Sequence, residues 1–303
     1  MPKLCCRWPA SFVFAVCSIA SAASAADLFV DNHQGDDAMS GRSPVILDAT
    51  SGPVKSIGRA LKNVRGGDVI HIANTGDPYY ESLEVGGARF QGGFRIEGNG
   101  AVVSGVKEIP IDAWKYVGNG VWKFIPLRKA FYQLVNGDRA LPEFVVDAGA
   151  TRLPAIPEGS WAGWHGAIYF RGQPGRHGMP SDLALAFAAQ EMGITFLDVD
   201  DVVIHDLEFR HFRLDGINVH DRCRNIILDH VKLTENGRAG LAVGGSSIVG
   251  IQDSEISGNR VAQVLNSEVA KTEIVSTRMA ANQGVLIRKT GGHVLVEGEE
   301  ARQ

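Results

Sequence analysis

Two aspartates and a histidine lie at matching points of a repeated segment. Asp198 ends one copy of this segment, and His220 and Asp221 end the next copy. Where the two copies stack as neighbouring strands, the carboxylates lie about 5 Å apart at backbone level. Two carboxylates this close raise the pKa of one of them or bind a cation, and a retaining glycosidase uses a similar separation. We therefore predict that Asp198 and Asp221 share the acid and nucleophile or base roles of a catalytic site.

Other polar residues surround this pair in the predicted stack. They are His220, Asp215, Asn218, Arg213 and Arg238. We predict that the first two are also catalytic and that the last three bind substrate. The next copy offers only Ala242 and Gly244 at this place, so small side chains leave room for a substrate. The alternative interpretation is a solvated polar turn with no chemistry.

The repeat that positions these residues has a period of 23 to 24 and runs from about Gly193 to the C-terminus. A period in this range with short β-branched runs is typical of stacked coils. Apolar residues alternate over three short stretches of each copy, which predicts three strands per coil. Equivalent residues of successive coils should then form ladders about 4.8 Å apart.

Three such ladders have structural interpretations. The first alternates in charge and predicts solvated ion pairs that hold the register; its members are Glu208, Lys232, Glu255 and Arg278. The second fills a tight corner between two strands; its members are Asp206, His230, Asp253 and Ser276. The third recurs at a constant interval of 23 and is assigned to turns; its members are Asn236, Asn259 and Asn282.

The chain divides into four predicted segments. They are a signal peptide at 1–25, an N-terminal cap with the first coils at 26–105, an inserted aromatic-rich β subdomain at 106–192, and the repeat coils at 193–303. In the second segment, residues 54–64 have one apolar face and precede two glycines, which predicts a helix. Such a helix would cover the open end of the hydrophobic stack.

Composition limits the setting and the partners. The first 25 residues have a positive start, a short apolar run and a small-residue cleavage site, as a secretory signal does. We therefore expect a secreted or periplasmic protein that is not in the membrane after cleavage. Of four cysteines only Cys223 lies beyond this segment, so no intrachain disulfide can form. Loss of Lys3 and Arg7 changes the net charge from −4 to −6, which argues against a nucleic-acid partner.

Aromatic residues are concentrated in the inserted segment, where they suit stacking on sugar rings. Trp161, Trp164 and His165 lie among glycines, so we predict that they are surface residues of a loop that binds substrate. Trp114 and Trp122 lie in alternating strand contexts, and we predict that they form the core of the subdomain.

Two stretches resemble known families. LFVDNHQGDD, followed by SGPVKSIGRALKNVRGGDVIHIANTGDPYYESLEV, resembles the entry segment of secreted right-handed parallel β-helix proteins of the pectate-lyase-like superfold. FYQLVNGDRALPEF and GSWAGWHGAIYF resemble an insertion in β-helical glycoside hydrolases of the fucosidase/xylanase type. That family has Ala-Arg-x-Pro where this chain has Ala140, Leu141 and Pro142. The resemblance implies an all-β, three-sheet right-handed parallel β-helix that cleaves a polysaccharide or oligosaccharide.

Two other functions stay open. GINVHD, at residues 216–221, is similar to the GFDPHD strand of β-helical mannuronan epimerases, with Asn218 in place of the first Asp. This similarity implies a polysaccharide lyase or uronate C5-epimerase with His220 as the base. A non-catalytic carbohydrate-binding or surface protein is the third possibility. No cofactor is certain, and calcium binding by Asp31, Asp36 and Asp37 is left open, as is the oligomeric state.

Overall fold

The computed structural model describes residues 25–87, 90, 92–175, 178–282 and 284–301. Residues 1–24 of the predicted signal peptide lie outside this range. Within the described range, no helix is both long enough and apolar enough to cross a membrane.

The N-terminal part opens the solenoid and contains its helix. Its elements are β1 (Asp27–Val30), α1 (Ile57–Asn63), β2 (Val69–Ile72), β3 (Leu83–Gly86) and β4 (Phe94–Ser104). The helix begins three residues later than the apolar pattern predicts. Ser56 has an extended backbone, and its hydroxyl accepts a hydrogen bond from the N–H of Arg59, as an N-cap does. Val54, in turn, forms an isolated parallel bridge with Val30.

The inserted segment forms two small antiparallel sheets. Its strands are β5 (Val106–Glu108), β6 (Lys115–Gly118), β7 (Val121–Phe124), β8 (Leu134–Asn136), β9 (Arg139–Ala140), β10 (Trp161–Trp164), β11 (Ala167–Arg171) and β12 (Leu185–Ala188), with 3₁₀ turns at Ile111–Ala113 and Pro180–Asp182. One sheet has the order β10-β11-β7-β6 and the other β5-β12-β8-β9. Apolar side chains from both sheets form a core separate from that of the solenoid.

The repeat supplies the remaining strands. They are β13 (Met192–Leu197), β14 (Asp200–Arg210), β15 (Asp215–His220), β16 (Arg224–Asp229), β17 (Lys232–Thr234), β18 (Ala239–Val243), β19 (Ile248–Gln252), β20 (Glu255–Ser257), β21 (Ala262–Asn266), β22 (Lys271–Val275), β23 (Arg278–Ala280), β24 (Val285–Lys289), β25 (His293–Val296) and β26 (Glu299–Glu300). Together with β1–β4 they coil into a right-handed parallel β-helix of about ten turns, as predicted.

Three parallel sheets form its faces. Face A consists of β3, β13, β15, β18, β21 and β24. Face B consists of β1, β2, β16, β19, β22, β25 and the first halves of β4 and β14. Face C consists of β17, β20, β23 and the second halves of β4 and β14. Alternate residues point inward, so Ile217 and Val219 are fully buried while Asn218 between them is partly exposed.

The corner between faces B and C confirms the second ladder. Asp206, His230, Asp253 and Ser276 all have positive φ, between 46° and 54°. A single left-handed residue therefore turns the chain from one face to the next in each coil. The charged ladder also has the predicted register, with Glu208 opposite Lys232 and Glu255 opposite Arg278.

Candidate functional site

The predicted carboxylate pair lies at the corner between faces A and B. Leu197 is the backbone partner of His220, so Asp198 and Asp221 occupy equivalent places in adjacent coils, as the repeat predicts. Both have positive φ and exposed side chains. The Asp198 carboxylate lies 3.6 Å from the Nε of Arg222, and that of Asp221 lies 2.9 Å from the Nδ1 of His220. Each carboxylate therefore has its own cationic or potentially cationic neighbour.

A third acid belongs to this corner and was not predicted. Val219 is the backbone partner of Val243, and Val243 is the partner of Asn266. Two residues further along, the position of Asp221 is therefore occupied by Gly245 in the next coil and by Glu268 in the coil after that. The Nε2 of His220 lies 3.7 Å from a carboxylate oxygen of Glu268, two coils away. The repeat period could have indicated this neighbour.

The space over Gly244 is filled, whereas a cavity of about 480 Å³ lies beside Asp198 and Arg222. A Cβ added to Gly244 would lie 2.9 Å from Cδ2 of His220, so the imidazole packs directly over this glycine. The small residue thus accommodates the histidine ring, and the expectation that it leaves room for a substrate is wrong at Gly244.

Two of the predicted neighbours are structural. Asp215 is fully buried, and its carboxylate accepts two hydrogen bonds from Arg238, one of them at 2.9 Å from Nε. The hydrogen bonds that Arg238 donates to Asp215 raise the pKa of Arg238. Arg213 is also buried and contacts Glu191 and the carbonyl of Lys129. The expectation that Asp215 and Arg213 face a substrate is wrong, because ion pairing draws both side chains inside the corner between faces C and A.

Asn218 and Arg238 keep partial exposure. Asn218 points outward from face A and its amide lies 3.1 Å from the sulfur of Met192. The side chain of Arg238 is 31% exposed, although it is paired with Asp215. Both remain predicted substrate ligands.

The predicted surface aromatics divide into two kinds. Trp161 is only 2% exposed, lies in β10 and donates from its indole to the carbonyl of Leu141. The prediction that it is a surface residue of a loop is therefore wrong, because the ring is part of the core of the insertion. Trp164 is half-buried at the end of the same strand, and His165 follows it in an exposed turn with positive φ.

The three N-terminal aspartates do not converge on one point. Asp31 accepts hydrogen bonds from the backbone N–H groups of His33 and Gln34. Asp36 accepts one from Ala38, and Asp37 accepts bonds from two N–H groups and a hydroxyl at the start of α1. One oxygen of Asp31, one of Asp36 and both of Asp37 are thus engaged in turns and capping. They are not among the described His, Cys, Asp and Glu side chains that cluster as metal donors.

A second candidate site lies between the insertion and the solenoid. The insertion packs along the corner between faces C and A, and Gln133 donates from its amide to the carbonyl of Glu235 at 2.6 Å. Arg260 of the solenoid lies 2.7 Å from the carboxylate of Glu143 in the insertion. Between them is a cavity of about 300 Å³, which we call the cleft. It is lined by Gln133, Arg139, Ala140, Leu141, Pro142, Glu143, Trp161, Glu235, Gly258, Arg260 and Asn282.

Glu143 is a largely buried acid in one wall of the cleft. Its side chain is 9% exposed. Burial raises the pKa of Glu143, and the positive charge of Arg260 offsets only part of this rise. A carboxyl group kept from water in this way holds its proton to a higher pH than a free one.

Glu235 lies in the opposite wall of the cleft, and its pKa is shifted in the opposite direction. Its carboxylate lies 2.7 Å from the Nε2 of His211, a buried residue of the same corner one coil earlier. This hydrogen bond lowers the pKa of Glu235 and outweighs the effect of burial, and a backbone hydrogen bond from Ala140 acts in the same direction. One cleft therefore contains two carboxyl groups whose pKa values move in opposite directions.

The cleft also has free hydrogen-bonding capacity. The Oε1 atom of Gln133 is buried and has no hydrogen-bond partner among the described residues. Arg139 and Asn282 line the cleft with exposed side chains. Sequence reasoning missed Glu143 and Glu235, although Glu143 lies within the stretch 131–144 that resembles the insertion of β-helical hydrolases.

Solved structures with a similar fold include three of carbohydrate enzymes or their complexes. One described as a glycoside hydrolase has a TM-score of 0.57 at 12% identity and covers 84% of this chain and 73% of that chain. XylC with xylose has a TM-score of 0.42 at 11% identity, covering 89% and 69% of the two chains. GH136 lacto-N-biosidase from Eubacterium ramulus has a TM-score of 0.39 at 9% identity, covering 88% and 55%.

The first of these, at 12% identity, shows a shared fold alone. No protein-family model matches the sequence, and no curated protein matches it significantly.

Proposed function

We propose that this protein is a carbohydrate-active enzyme that hydrolyses glycosidic bonds in the cleft. The observation on which the proposal rests is the pair Glu143 and Glu235, which face one cavity with oppositely shifted pKa values. Glycosidic hydrolysis needs one protonated and one ionised carboxyl group at the same bond. Groups whose environments move their pKa values apart are the natural acid and base of a site.

The environments assign the two roles. Glu143, whose pKa burial raises, is assigned as the general acid that protonates the leaving oxygen. Glu235, whose pKa the hydrogen bond with His211 lowers, is assigned as the nucleophile, or as the base that activates water. Gln133, Arg139 and Asn282 offer donors and acceptors to sugar hydroxyls around the cleft. The glycoside hydrolase of similar fold supports this class of reaction.

The first experiment identifies the reaction. The protein is screened against a panel of polysaccharides and oligosaccharides, with reducing ends and the absorbance of unsaturated products read together. We expect new reducing ends without unsaturated products. Both signals together would indicate a lyase, and neither would leave a binding protein or an epimerase.

The second experiment places the reaction in the cleft. Glu143→Gln and Glu235→Gln should each lower kcat by about 10²–10⁴-fold, the usual contribution of general acid–base groups. Because Glu143 pairs with Arg260 and Glu235 with His211, loss of an ion pair needs its own control, and Glu191→Gln is the matched one. Glu191 pairs with Arg213 at the same corner but does not line the cleft. Equal losses in all three variants, or unchanged activity in the two cleft variants, would contradict the proposal.

The pH profile provides an independent check on the roles. Activity should rise with pH as Glu235 ionises and fall as Glu143 loses its proton. Since burial raises the pKa of Glu143 and His211 lowers that of Glu235, the two limbs should be well separated. Glu143→Gln should remove the alkaline limb from whatever activity remains.

A second candidate function belongs to the corner between faces A and B. His220 lies between the carboxylates of Asp221 and Glu268, at 2.9 and 3.7 Å. A histidine held by acids is a suitable base for abstracting the C5 proton of a uronate, as a lyase or epimerase requires. Unsaturated products that disappear in Asp221→Asn and Asp198→Asn, but persist in Glu143→Gln, would favour this site over the cleft.

A further inference from the structure

A cluster of two histidines and an aspartate lies on the outer surface of the solenoid, away from both sites described above. His205 and Asp229 are backbone partners on face B, and His230 follows Asp229 at the corner with face C. The Nδ1 of His205 lies 2.9 Å from one oxygen of Asp229, and the Nδ1 of His230 lies 2.8 Å from the other. One carboxylate thus joins two imidazoles from adjacent coils.

The donor set determines which ion would suit this cluster. One donor atom from each of the three side chains lies within 4.8 Å of the other two. Two imidazole nitrogens with one carboxylate oxygen suit zinc and its first-row neighbours, whereas calcium and magnesium prefer oxygen alone. Metal–ligand bonds of about 2.0–2.2 Å place tetrahedral ligands roughly 3.3 Å apart. The two contacts with Asp229, at 2.9 and 2.8 Å, are a few tenths of an ångström shorter than this.

The surroundings favour a preformed site. His205 and Asp229 are on rigid strands, and their side chains are 31% and 18% exposed. The amide of Gln252, one coil further along face B, lies 3.3 Å from the oxygen of Asp229 that faces His230. Hydrogen bonds of this kind orient metal ligands. Asp206 and Asp253 occupy the same corner one coil to either side of His230 and add negative charge.

We propose that His205, Asp229 and His230 bind one divalent transition-metal ion of the zinc class and so cross-link two adjacent coils. Three protein ligands leave the fourth tetrahedral position open to water or an external ligand. Metal binding here is independent of the proposed hydrolysis, because the cleft lies at a different corner of the coil.

The test uses the whole protein after treatment with a chelator. Zn²⁺ is titrated into it by isothermal calorimetry, and thermal melts are recorded with and without Zn²⁺. We expect saturable binding of about one ion per chain and a higher melting temperature, since a ligand that binds only the folded state stabilises it. His205→Ala and His230→Ala should each weaken binding by roughly tenfold or more. Ca²⁺ should neither bind measurably nor raise the melting temperature.

His71→Ala is the matched control. His71 also lies on face B and contacts an aspartate, Asp27, at 2.7 Å, with no second histidine on that carboxylate among the described residues. The control should bind Zn²⁺ as the unmodified protein does. Absence of saturable binding, or binding that survives the double substitution of His205 and His230, would overturn the proposal. The metal-free melting temperatures show whether a variant is folded, and Asp229→Asn tests the site with the least change in shape.

Discussion

Removal of one buried amide should weaken the solenoid strongly. Asn259 lies at the corner between faces C and A, with its side chain fully buried. Its Oδ1 accepts from both the backbone N–H and the side-chain amide of Asn236, each at 2.9 Å. Its Nδ2 donates to the carbonyl of Leu233 at 2.9 Å and to the side chain of Gln263 at 2.8 Å. The amide therefore connects one coil to the previous one.

The structure sets the size of the effect of Asn259→Ala. The backbone N–H of Asn236 and the carbonyl of Leu233 both lose this partner in an interior without solvent. Each buried polar group left unpaired costs about 1–3 kcal/mol, so the free energy of unfolding should fall by about 2–6 kcal/mol. That is a large part of the roughly 5–15 kcal/mol by which proteins are usually stable. The backbone of Asn259 keeps its own bonds to Gln263, which limits the loss.

Unfolding in urea is monitored by circular dichroism. The free energies of unfolding of the variant and the unmodified protein are compared with the same dependence on urea concentration. Asn282→Ala is the matched control, because Asn282 is the next member of the same ladder but is exposed. Its substitution should change stability by no more than about 0.5 kcal/mol. A loss below about 1 kcal/mol for Asn259→Ala, or equal losses in the two variants, would refute the view that the buried amides hold the coils together.

Two further predictions concern the interior of the stack. Ile217→Asp should lower the melting temperature sharply, because Ile217 is fully buried and an unpaired charge there cannot be solvated. Asn218→Asp, one residue on and outward, should be tolerated, and identical melting temperatures in both variants would show that the inward register is wrong. Cys223 should resist thiol reagents until the protein unfolds, because burial both shields the thiol and raises its pKa. Rapid labelling of the native protein would contradict this placement.

The repeat in the sequence was sufficient to predict the solenoid. A constant interval with alternating apolar residues leaves few alternatives to stacking, since each coil can bury its apolar side chains only with its neighbours on either side. The same interval predicts the register that places Asp198 beside Asp221 and Glu208 beside Lys232. It also implies Glu268 near His220 and Asp229 beside His205.

Burial of polar residues at the corners could not be predicted in this way. Asp215 and Arg213 have the composition of a polar turn, yet both are buried by pairing with Arg238 and Glu191. Periodicity specifies which residue follows which along a ladder. It does not specify whether a corner side chain folds inward onto a partner, because that choice depends on the space and charges around it.

The position of the cleft could be learned only from the tertiary structure. Arg260 is 117 residues from Glu143, and Gln133 is 102 residues from the carbonyl of Glu235 that it contacts. The insertion interrupts the repeat and has no period, so no sequence interval states where it packs on the solenoid. Stacking of the coils follows from the sequence alone, because each repeat meets its neighbours at a constant spacing. The meeting of Glu143 and Glu235 is decided only by how the insertion packs on the solenoid, which brings Glu143 to the corner where Glu235 contacts His211.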